Sequence, residues 1–222
     1  RDPRELALAI ESLKLWRGMN ARIGAETGFR QTGTFYVCPH AASFAKREAW
    51  LPHAREHGLE CHLLRGADVQ RLFPGAATAK SWIGGLHTPG DGVAEPGMAA
   101  PAIASAARKL GAGIATSCAV RTSGRSAGRV PHVVTEKGEV ACDAGVLAGG
   151  AWSGLMCRSL GLRLPQLKVL ASVFRTSPCP AGPDVVAWGP GLSLRRRLDG
   201  GAVDARGLAG ALSGPPCRGR GR

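Results

Sequence analysis

The 222-residue chain lacks any hydrophobic run that approaches the roughly 18 apolar residues of a membrane-spanning helix. Its first residues, Arg-Asp-Pro-Arg-Glu-Leu, also lack the isolated apolar segment and cleavage site of a signal peptide. A hydrophobic content of 44% is nevertheless enough for a core, and the length fits one large domain or two small ones. These observations predict a globular protein without a transmembrane segment.

Closely spaced cysteines are lacking as well. The seven cysteines are scattered, with no Cys-x-x-Cys pair and no histidine at ligand spacing. An odd, dispersed set of thiols is typical of a reducing compartment and favours neither a disulfide framework nor a zinc site. His53 and His57 lie one helical turn apart, but no third ligand accompanies them, so we interpret them as surface residues. The sequence therefore predicts a cytoplasmic protein without a bound metal.

Acidic residues are scarce, because 16 Asp and Glu stand against 29 Lys and Arg, for a net charge of +13. The excess is uneven: residues 1–100 carry a net charge of +2, and residues 101–222 carry +11. Part of the second excess comes from the run Arg195–Arg197. A basic second half indicates an anionic partner and carries no information about the fold.

Hydrophobic periodicity predicts a mixture of helices and strands. Helices are expected over residues 3–23, 41–57, 67–73, 97–110 and 154–160, with Asp2 as the first N-cap. Strands are expected over residues 30–38, 60–64, 81–87, 114–120, 129–135, 139–141, 168–176, 185–188 and 192–198. From residue 205 onward the composition changes to Gly, Ala, Pro and Arg, which predicts a disordered tail over residues 205–222.

Residues 139–156 carry a distinct local pattern. The apolar run Ala144–Ala148 predicts a buried strand, residues 149–152 predict a turn, and Ser153 is the expected N-cap of a helix. Such a junction directs backbone N–H groups and the positive end of a helix toward an anionic ligand. The alternative is an ordinary connection between a strand and a helix, without a ligand.

Taken together, several segments of the chain resemble the FAD-dependent amino-acid oxidase/dehydrogenase superfamily, the group of D-amino-acid oxidase and glycine/sarcosine oxidase. Their order and spacing agree with that family over roughly residues 1–204. The matching segments are Leu15-Trp16, Phe29–Tyr36, Asp91–Pro96, Leu110–Ala112, Thr135–Gly138, Leu147–Ser153 and Arg195–Gly201.

The resemblance implies a two-domain α/β fold. A glutathione-reductase-like FAD-binding domain with a central parallel sheet would be interrupted by a substrate domain built on an antiparallel sheet. Residues 1–28 and 92–165 would form part of the FAD-binding domain. Residues 29–91 and 166–204 would form part of the substrate domain.

The resemblance also implies the site. Val120 would lie at the adenosine end of FAD, and Ala148, Gly149, Gly150, Ala151 and Trp152 would lie along the cofactor. Such enzymes oxidise the Cα–N bond of a D-amino acid, glycine or an N-methyl amino acid by hydride transfer to the flavin, which oxygen or another acceptor reoxidises. No residue is assigned a catalytic role.

A cationic group must hold the substrate carboxylate, and arginine suits bidentate capture. Alternation along a strand places Arg195 and Arg197 on one face and Arg196 on the other, so the first two are the predicted substrate-binding residues. The alternative is a solvated basic strand end.

The chain departs from the family pattern at both ends. The initial strand, the Gly-x-Gly-x-x-Gly turn and the acidic residue for the ribose are not found, and Ala202 replaces an expected aromatic residue. We therefore expect an inactive fragment that binds FAD weakly or not at all. An alternative function is a non-catalytic protein that contacts nucleic acid through Arg195–Arg197 and Arg218, Arg220 and Arg222. Because interleaved aromatic residues are lacking there, no nucleic-acid partner is expected.

Overall fold

The computed structural model describes residues 3–74, 76–126, 128–166, 172–178 and 182–206. The chain divides into two compact units: unit 1 comprises residues 1–110 and 171–222, and unit 2 comprises residues 111–170. The division into FAD-binding and substrate domains stays a prediction. No helix in the described ranges is long and apolar enough to cross a membrane.

Helices and strands are numbered along the chain. The helices are α1 (Leu6–Ile23), α2 (Ala41–Glu48), α3 (Leu51–Glu56), α4 (Ala67–Leu72), α5 (Pro96–Lys109) and α6 (Ser153–Ser159). The strands are β1 (Arg30–Gln31), β2 (Thr34–Cys38), β3 (His62–Arg65), β4 (Gly84–Thr88), β5 (Gly92–Val93), β6 (Val120–Ser123), β7 (His132–Thr135), β8 (Gly138–Ala141), β9 (Ser172–Arg175), β10 (Val186–Gly189), β11 (Leu192–Arg196) and β12 (Ala202–Arg206). Short 3-10 turns span Pro3–Glu5, Ala77–Ser81 and Gly150–Trp152.

Unit 1 is built on a seven-stranded sheet with the order β3-β4-β2-β10-β11-β12-β9. Its neighbouring strands are antiparallel except at the centre, where β10 runs parallel to β2 with Val186 opposite Thr34. The expectation of an antiparallel sheet is therefore correct for five of the six strand pairs and wrong for this one. β2 and β10 are far apart in the chain, and local periodicity does not determine the direction in which two distant strands pair.

Alternation along β2 supplies apolar side chains to both faces of this sheet. Phe35 is fully buried and packs against Phe73 and Trp82, with ring centroids 5.2 Å and 6.3 Å away. On the other face Tyr36 joins a second cluster that includes Leu6 of α1 and Leu86 of β4. The first helix is thereby fixed to the sheet.

Several element boundaries in unit 1 differ from the expected ones. The predicted strand 30–38 is two strands, because β1 leaves the large sheet to pair with β5 and the Gly33 amide donates to the carbonyl of Asp91. The predicted helix 41–57 is broken between α2 and α3, where Pro52 lacks an amide for a continuous helix. The predicted strands 60–64 and 81–87 are found at β3 and β4, and the second follows a 3-10 turn.

Unit 2 contains the antiparallel meander β6-β7-β8 followed by α6. Its first strand begins at Val120, so the prediction of a strand over 114–120 is wrong. The prediction of a strand over Ala144–Ala148 is also wrong, because these residues make no ladder hydrogen bonds. The 3-10 turn makes Trp152 the N-cap residue and places Ser153 inside α6, so the expected Ser153 cap is wrong too. The central parallel sheet expected for an FAD-binding domain is not seen among the described residues.

The C-terminal part of unit 1 contains a strand that the sequence analysis misses. β12 pairs with both β11 and β9, and it includes residues 205 and 206 of the predicted disordered tail. The tail prediction is therefore wrong for these two residues. Residues 207–222, the expected cap Asp2 and residues 168–171 of the predicted strand 168–176 lie outside the described ranges.

Candidate functional site

A buried carboxylate lies beneath three arginine side chains in unit 1. The Glu95 side chain is only 8% exposed. Its Oε1 atom lies 3.1 Å from Nη1 of Arg195 and 3.6 Å from Nη2 of Arg30, and its Oε2 atom lies 4.0 Å from Nη1 of Arg197. Glu95 is therefore the shared anionic partner of three guanidinium groups.

Backbone hydrogen bonds fix the main chain at Glu95. The Glu95 amide donates to the carbonyl of Thr27 at 3.2 Å, and the Glu95 carbonyl accepts from the amides of Met98 and Ala99 in the first turn of α5. A Cβ atom on Gly28 would lie 2.8 Å from Cβ of Glu95, so a side chain at position 28 would push the glutamate away. The start of α5 is thereby held against the segment that precedes β1.

The strand β11 presents its consecutive arginines to opposite sides. Arg195 and Arg197 both face Glu95, whereas Arg196 contacts Oδ1 of Asp184 at 3.0 Å. The Arg196 carbonyl accepts a hydrogen bond from Nη2 of Arg30 at 3.0 Å, which ties β1 to β11. This is the alternation expected from the sequence. The substrate-binding role of Arg195 and Arg197 stays a prediction.

A cavity of about 560 Å³ opens beside this cluster. Its wall combines the first turn of α5, part of β9 and the end of β11; the residues that matter here are Glu95, Met98, Phe174, Arg175, Arg195 and Arg197. Asp199 also lines the cavity and accepts from Nε of Arg197 at 3.2 Å. The hydrogen bond from the Gly201 amide, together with the Arg197 guanidinium, lowers the pKa of the Asp199 carboxyl, which is therefore ionised at neutral pH.

The charges around the cavity do not balance. Arg30, Arg175, Arg195 and Arg197 bring four positive charges, while Glu95 and Asp199 bring two negative ones. Arginine forks match the geometry of a carboxylate, and Met98 and Phe174 add apolar surface beside them. The arrangement can hold a small organic anion.

The predicted cofactor-binding residues all lie in unit 2. Val120 begins β6 with half of its surface exposed, and Trp152 in the 3-10 turn is 68% exposed. Ala148, Gly150 and Ala151 are exposed as well, and Gly149 is half-buried. The helix α6 that follows the turn contacts β6, so these residues belong to one small structure.

The junction presents both open backbone and apolar surface. The small residues 148–151 leave the backbone open, and a Cβ atom on Gly150 would meet no atom within 4 Å. Val120 and Trp152 add apolar surface on which a large, partly aromatic group can rest. These properties fit a flavin nucleotide, and the assignment of individual cofactor-binding residues stays a prediction.

A side chain that the sequence analysis misses, Gln166, braces the same junction. Its Nε2 atom donates to the carbonyl of Gly150 at 2.9 Å, and its Oε1 atom accepts from the amide of Gly154 at 3.1 Å. The Gly154 amide is one of the groups that the sequence assigned to an anionic ligand, and here Gln166 occupies it. No local pattern identifies this contact, because a lone glutamine after a helix has no signature.

The histidines and cysteines show no metal-binding arrangement among the described residues. His53 is half-buried and lies 3.7 Å from Glu56, and His57 is exposed at the end of α3. No group of three or more potential ligands comes together in the described ranges. The described cysteines Cys38, Cys61, Cys118, Cys142 and Cys157 are free thiols.

Comparison with protein families gives a match over almost the whole chain. The profile of the family described as FAD dependent oxidoreductase matches residues 1–210. The chain is 26% identical to mouse dimethylglycine dehydrogenase over 205 residues, which is 92% of this chain and 23% of that protein. It is 26% identical to mouse sarcosine dehydrogenase over 154 residues, 67% of this chain and 17% of that protein. With D-amino acid dehydrogenase of Sinorhizobium medicae the identity is 42% over 87 residues, 39% of this chain and 21% of that protein.

Solved structures give the same picture of the fold. L-amino acid deaminase from Proteus myxofaciens has a TM-score of 0.83 and 31% identity, over 92% of this chain and 47% of that one. Glycine oxidase from Bacillus cereus has a TM-score of 0.78 and 20% identity, over 93% of this chain and 58% of that one. The chain thus spans about a quarter or less of these curated relatives and about half of these solved chains.

Proposed function

The chain belongs to the FAD-dependent oxidoreductase family, and we propose from this premise that it is part of an enzyme that oxidises the carbon–nitrogen bond of an amino acid. Dimethylglycine dehydrogenase, sarcosine dehydrogenase and D-amino acid dehydrogenase are similar to the chain in sequence. Their names share one substrate type, a small molecule with a carboxylate and an amino nitrogen. That common chemistry supports the proposal.

The proposed substrates are N-methyl amino acids, D-amino acids and glycine. Two of the similar sequences are named for N-methylated glycines, which favours that class within the proposal. All of these substrates carry a carboxylate, so a cationic pocket serves every one of them. The electron acceptor, oxygen or another molecule, is not distinguished by any residue described above.

FAD is the proposed cofactor, and the junction of unit 2 is its proposed contact. Val120 and residues 148–152 would hold it through apolar surface and open backbone. When bound, the flavin would accept a hydride from the carbon of the C–N bond, so the protein's contribution is to bind and orient the substrate. Gln166 would keep the turn in a fixed shape through its two hydrogen bonds.

The observation that carries the substrate assignment is the excess of positive charge around the cavity in unit 1. Arg195 and Arg197 lie on its wall and face the same carboxylate, Glu95. Only part of their charge is neutralised there, because Arg30 shares Glu95 with them. In the proposal these two arginines hold the substrate carboxylate, and the apolar side chains beside them contact the rest of the substrate.

The alternative function, nucleic-acid binding, gains no support. Arg195, Arg196 and Arg197 each lie within 4.0 Å of a carboxylate oxygen, so they do not form a row of solvated cations. The other arginines of that proposal, Arg218, Arg220 and Arg222, lie outside the described residues. The family match is to an oxidoreductase.

The test is an anaerobic visible spectrum of the protein supplied with excess FAD. The proposal expects dimethylglycine, sarcosine or a D-amino acid to bleach the flavin band, and admission of an acceptor to restore it. A spectrum that none of these substrates changes contradicts the proposal for this chain. The same experiment tests the inactive-fragment prediction, which expects no bleaching.

A cytoplasmic location stays a prediction that depends on the dispersed cysteines.

A further inference from the structure

The position of Glu95 raises a question about the role of a buried acid inside a site for an anion. The charge of Glu95 repels a second carboxylate that approaches it. The three arginines that could bind such a carboxylate already lie within 4.0 Å of Glu95. Glu95 can have one of two roles. Glu95 either occupies the place of a ligand, or it fixes the arginines so that their remaining donors face the cavity.

The accessibility of the atoms decides between these roles. Oε1 of Glu95 and Nη1 of Arg195 are buried, and within the described residues neither has an aligned hydrogen bond despite their separation of 3.1 Å. Glu95 thus attracts Arg195 electrostatically, through two atoms that are buried behind the cavity wall. Arg195 and Arg197 remain 22% and 27% exposed, so both side chains keep a face that a ligand can reach.

The backbone contacts of Glu95 also favour the second role, in which Glu95 fixes the arginines. The residue is fixed by its amide on Thr27, by its carbonyl in α5 and by the close approach of Gly28. Glu95 therefore has a fixed backbone, and its carboxylate lies within 4.0 Å of three arginine side chains. It can serve as a rigid anchor for long arginine side chains, whose loss of rotamer freedom would otherwise oppose binding.

We infer that Glu95 is a positioning residue for a carboxylate site: it fixes Arg195 and Arg197 at the cavity wall, and these two arginines bind the carboxylate of the ligand. The inference rests on the proposed function, because it concerns the site proposed for the amino-acid carboxylate. Three positive charges share the one negative charge of Glu95, and Asp199 pairs with one of the same three, Arg197, so binding capacity for an anion remains.

The inference makes a prediction opposite in sign to simple charge counting. Glu95→Gln removes a negative charge from the site, so long-range electrostatics alone would strengthen the binding of an anion. If Glu95 positions the arginines, the same change releases them and weakens binding. Loss of one charge-assisted contact corresponds to about a tenfold lower affinity.

The experiment uses sodium acetate as the probe, because acetate carries only the carboxylate. Acetate is titrated into the full chain while the side-chain Nε–Hε signals of the arginines are followed by NMR. A parallel titration uses methylammonium chloride, a probe of the opposite charge. In the parent protein we expect acetate to shift the Arg195 and Arg197 signals, with the Arg196 signal unchanged. The matched control is Arg196→Gln on the opposite face of β11, which should leave acetate affinity unchanged.

Glu95→Gln is expected to lower acetate affinity about tenfold. Glu95→Asp keeps the charge and the fold but withdraws the carboxylate by one methylene, and it is expected to lower affinity in the same direction. Because the folded protein is titrated in each case, a purely structural role for Glu95 would leave the acetate affinity of both variants unchanged.

The possible results separate the inference from the proposed function. Unchanged or higher acetate affinity in the folded Glu95 variants overturns the positioning role, even if Arg195→Gln and Arg197→Gln abolish binding. Acetate titration that moves neither arginine signal overturns the carboxylate site itself. Failure of amino acids to bleach the flavin, while both arginines still bind acetate, counts against the proposed reaction and leaves the positioning role standing.

Discussion

Oε1 of Glu95 lies 3.1 Å from Nη1 of Arg195, and this contact joins the start of α5 to the strand β11. The two residues are a hundred positions apart in the chain, and both atoms are buried. A buried charge without its partner is strongly unfavourable, whereas a charge shared among several partners tolerates small displacements. The ion pair therefore contributes to the stability of unit 1 as well as to the shape of the cavity.

Glu95→Gln should lower the free energy of unfolding by about 2–3 kcal/mol, because it leaves three arginines without their shared anion in a partly buried site. Urea denaturation measures the change. Glu11→Gln is the matched control, since Glu11 pairs with Lys14 on the exposed face of α1, and its effect should stay below about 0.5 kcal/mol. Equal effects of the two substitutions would show that the Glu95 cluster adds no stability.

The stability of unit 1 should fall as the pH is lowered toward 5. Burial lowers the pKa of His87 below its ordinary value of 6.5, and the nearby His62 lowers it further, against the opposing effects of Glu60 and Asp91. The unfolded chain therefore binds more protons than the folded one between the folded pKa and 6.5. Stability is complete above this window and is lost as the pH falls through it.

The test for His87 compares unfolding free energies at pH 7.5 and pH 5 in urea. His87→Gln should reduce the pH dependence in this window, since it removes the group whose protonation opposes folding. His87→Asn is a second neutral replacement and should reduce the pH dependence in the same way. A parent protein that gains stability between pH 7.5 and pH 5 would contradict the assignment.

Much of the order of helices and strands could be predicted from sequence, because the hydrophobic periodicity of a segment depends only on the residues of that segment. The first helix ends at Ile23 as expected, and α5, β10 and β11 lie within two residues of their predicted positions. Contacts between distant segments could not be predicted in this way. The parallel pairing of β2 with β10 and the addition of β12 to the sheet join segments that are far apart in sequence.

The same distinction explains what was missed at the candidate site. Alternation places Arg195 and Arg197 on one face, but nothing near them in sequence indicates their partner. Glu95 lies within a segment that resembles the family, directly before Pro96, and an acid at the start of a helix reads first as a partner of the helix dipole. Only the close approach of Gly28 and β1 reveals that its side chain points to the arginines.

Two glycine substitutions should change stability in opposite directions. Gly18→Ala in the middle of α1 should stabilise the protein by about 0.5–1 kcal/mol, because the new Cβ meets no atom within 4 Å and the helix backbone suits alanine. Gly85→Ala should destabilise it by about 3 kcal/mol, since its Cβ would lie 2.4 Å from both the Phe35 ring and the Tyr36 carbonyl. Thermal unfolding of both variants measures the difference, and equal melting temperatures would contradict the packing of β4 on β2.

Gln166 should control the protection of the Gly154 amide against hydrogen exchange. Gln166→Ala removes the acceptor of that amide, so its exchange should accelerate up to about tenfold, in keeping with the loss of one hydrogen bond. Gln166→Glu keeps an acceptor for Gly154 but loses the donor to the Gly150 carbonyl, so protection of Gly154 should remain while the turn at Gly150 loosens. Gln31→Ala, a change in β1, should leave the exchange of the Gly154 amide unchanged. If the Gly154 amide exchanges equally fast in both Gln166 variants, the hydrogen bond from Gln166 to the Gly150 carbonyl is the one that protects it. The hydrogen bond from the Gly154 amide to Gln166 then depends on that first bond.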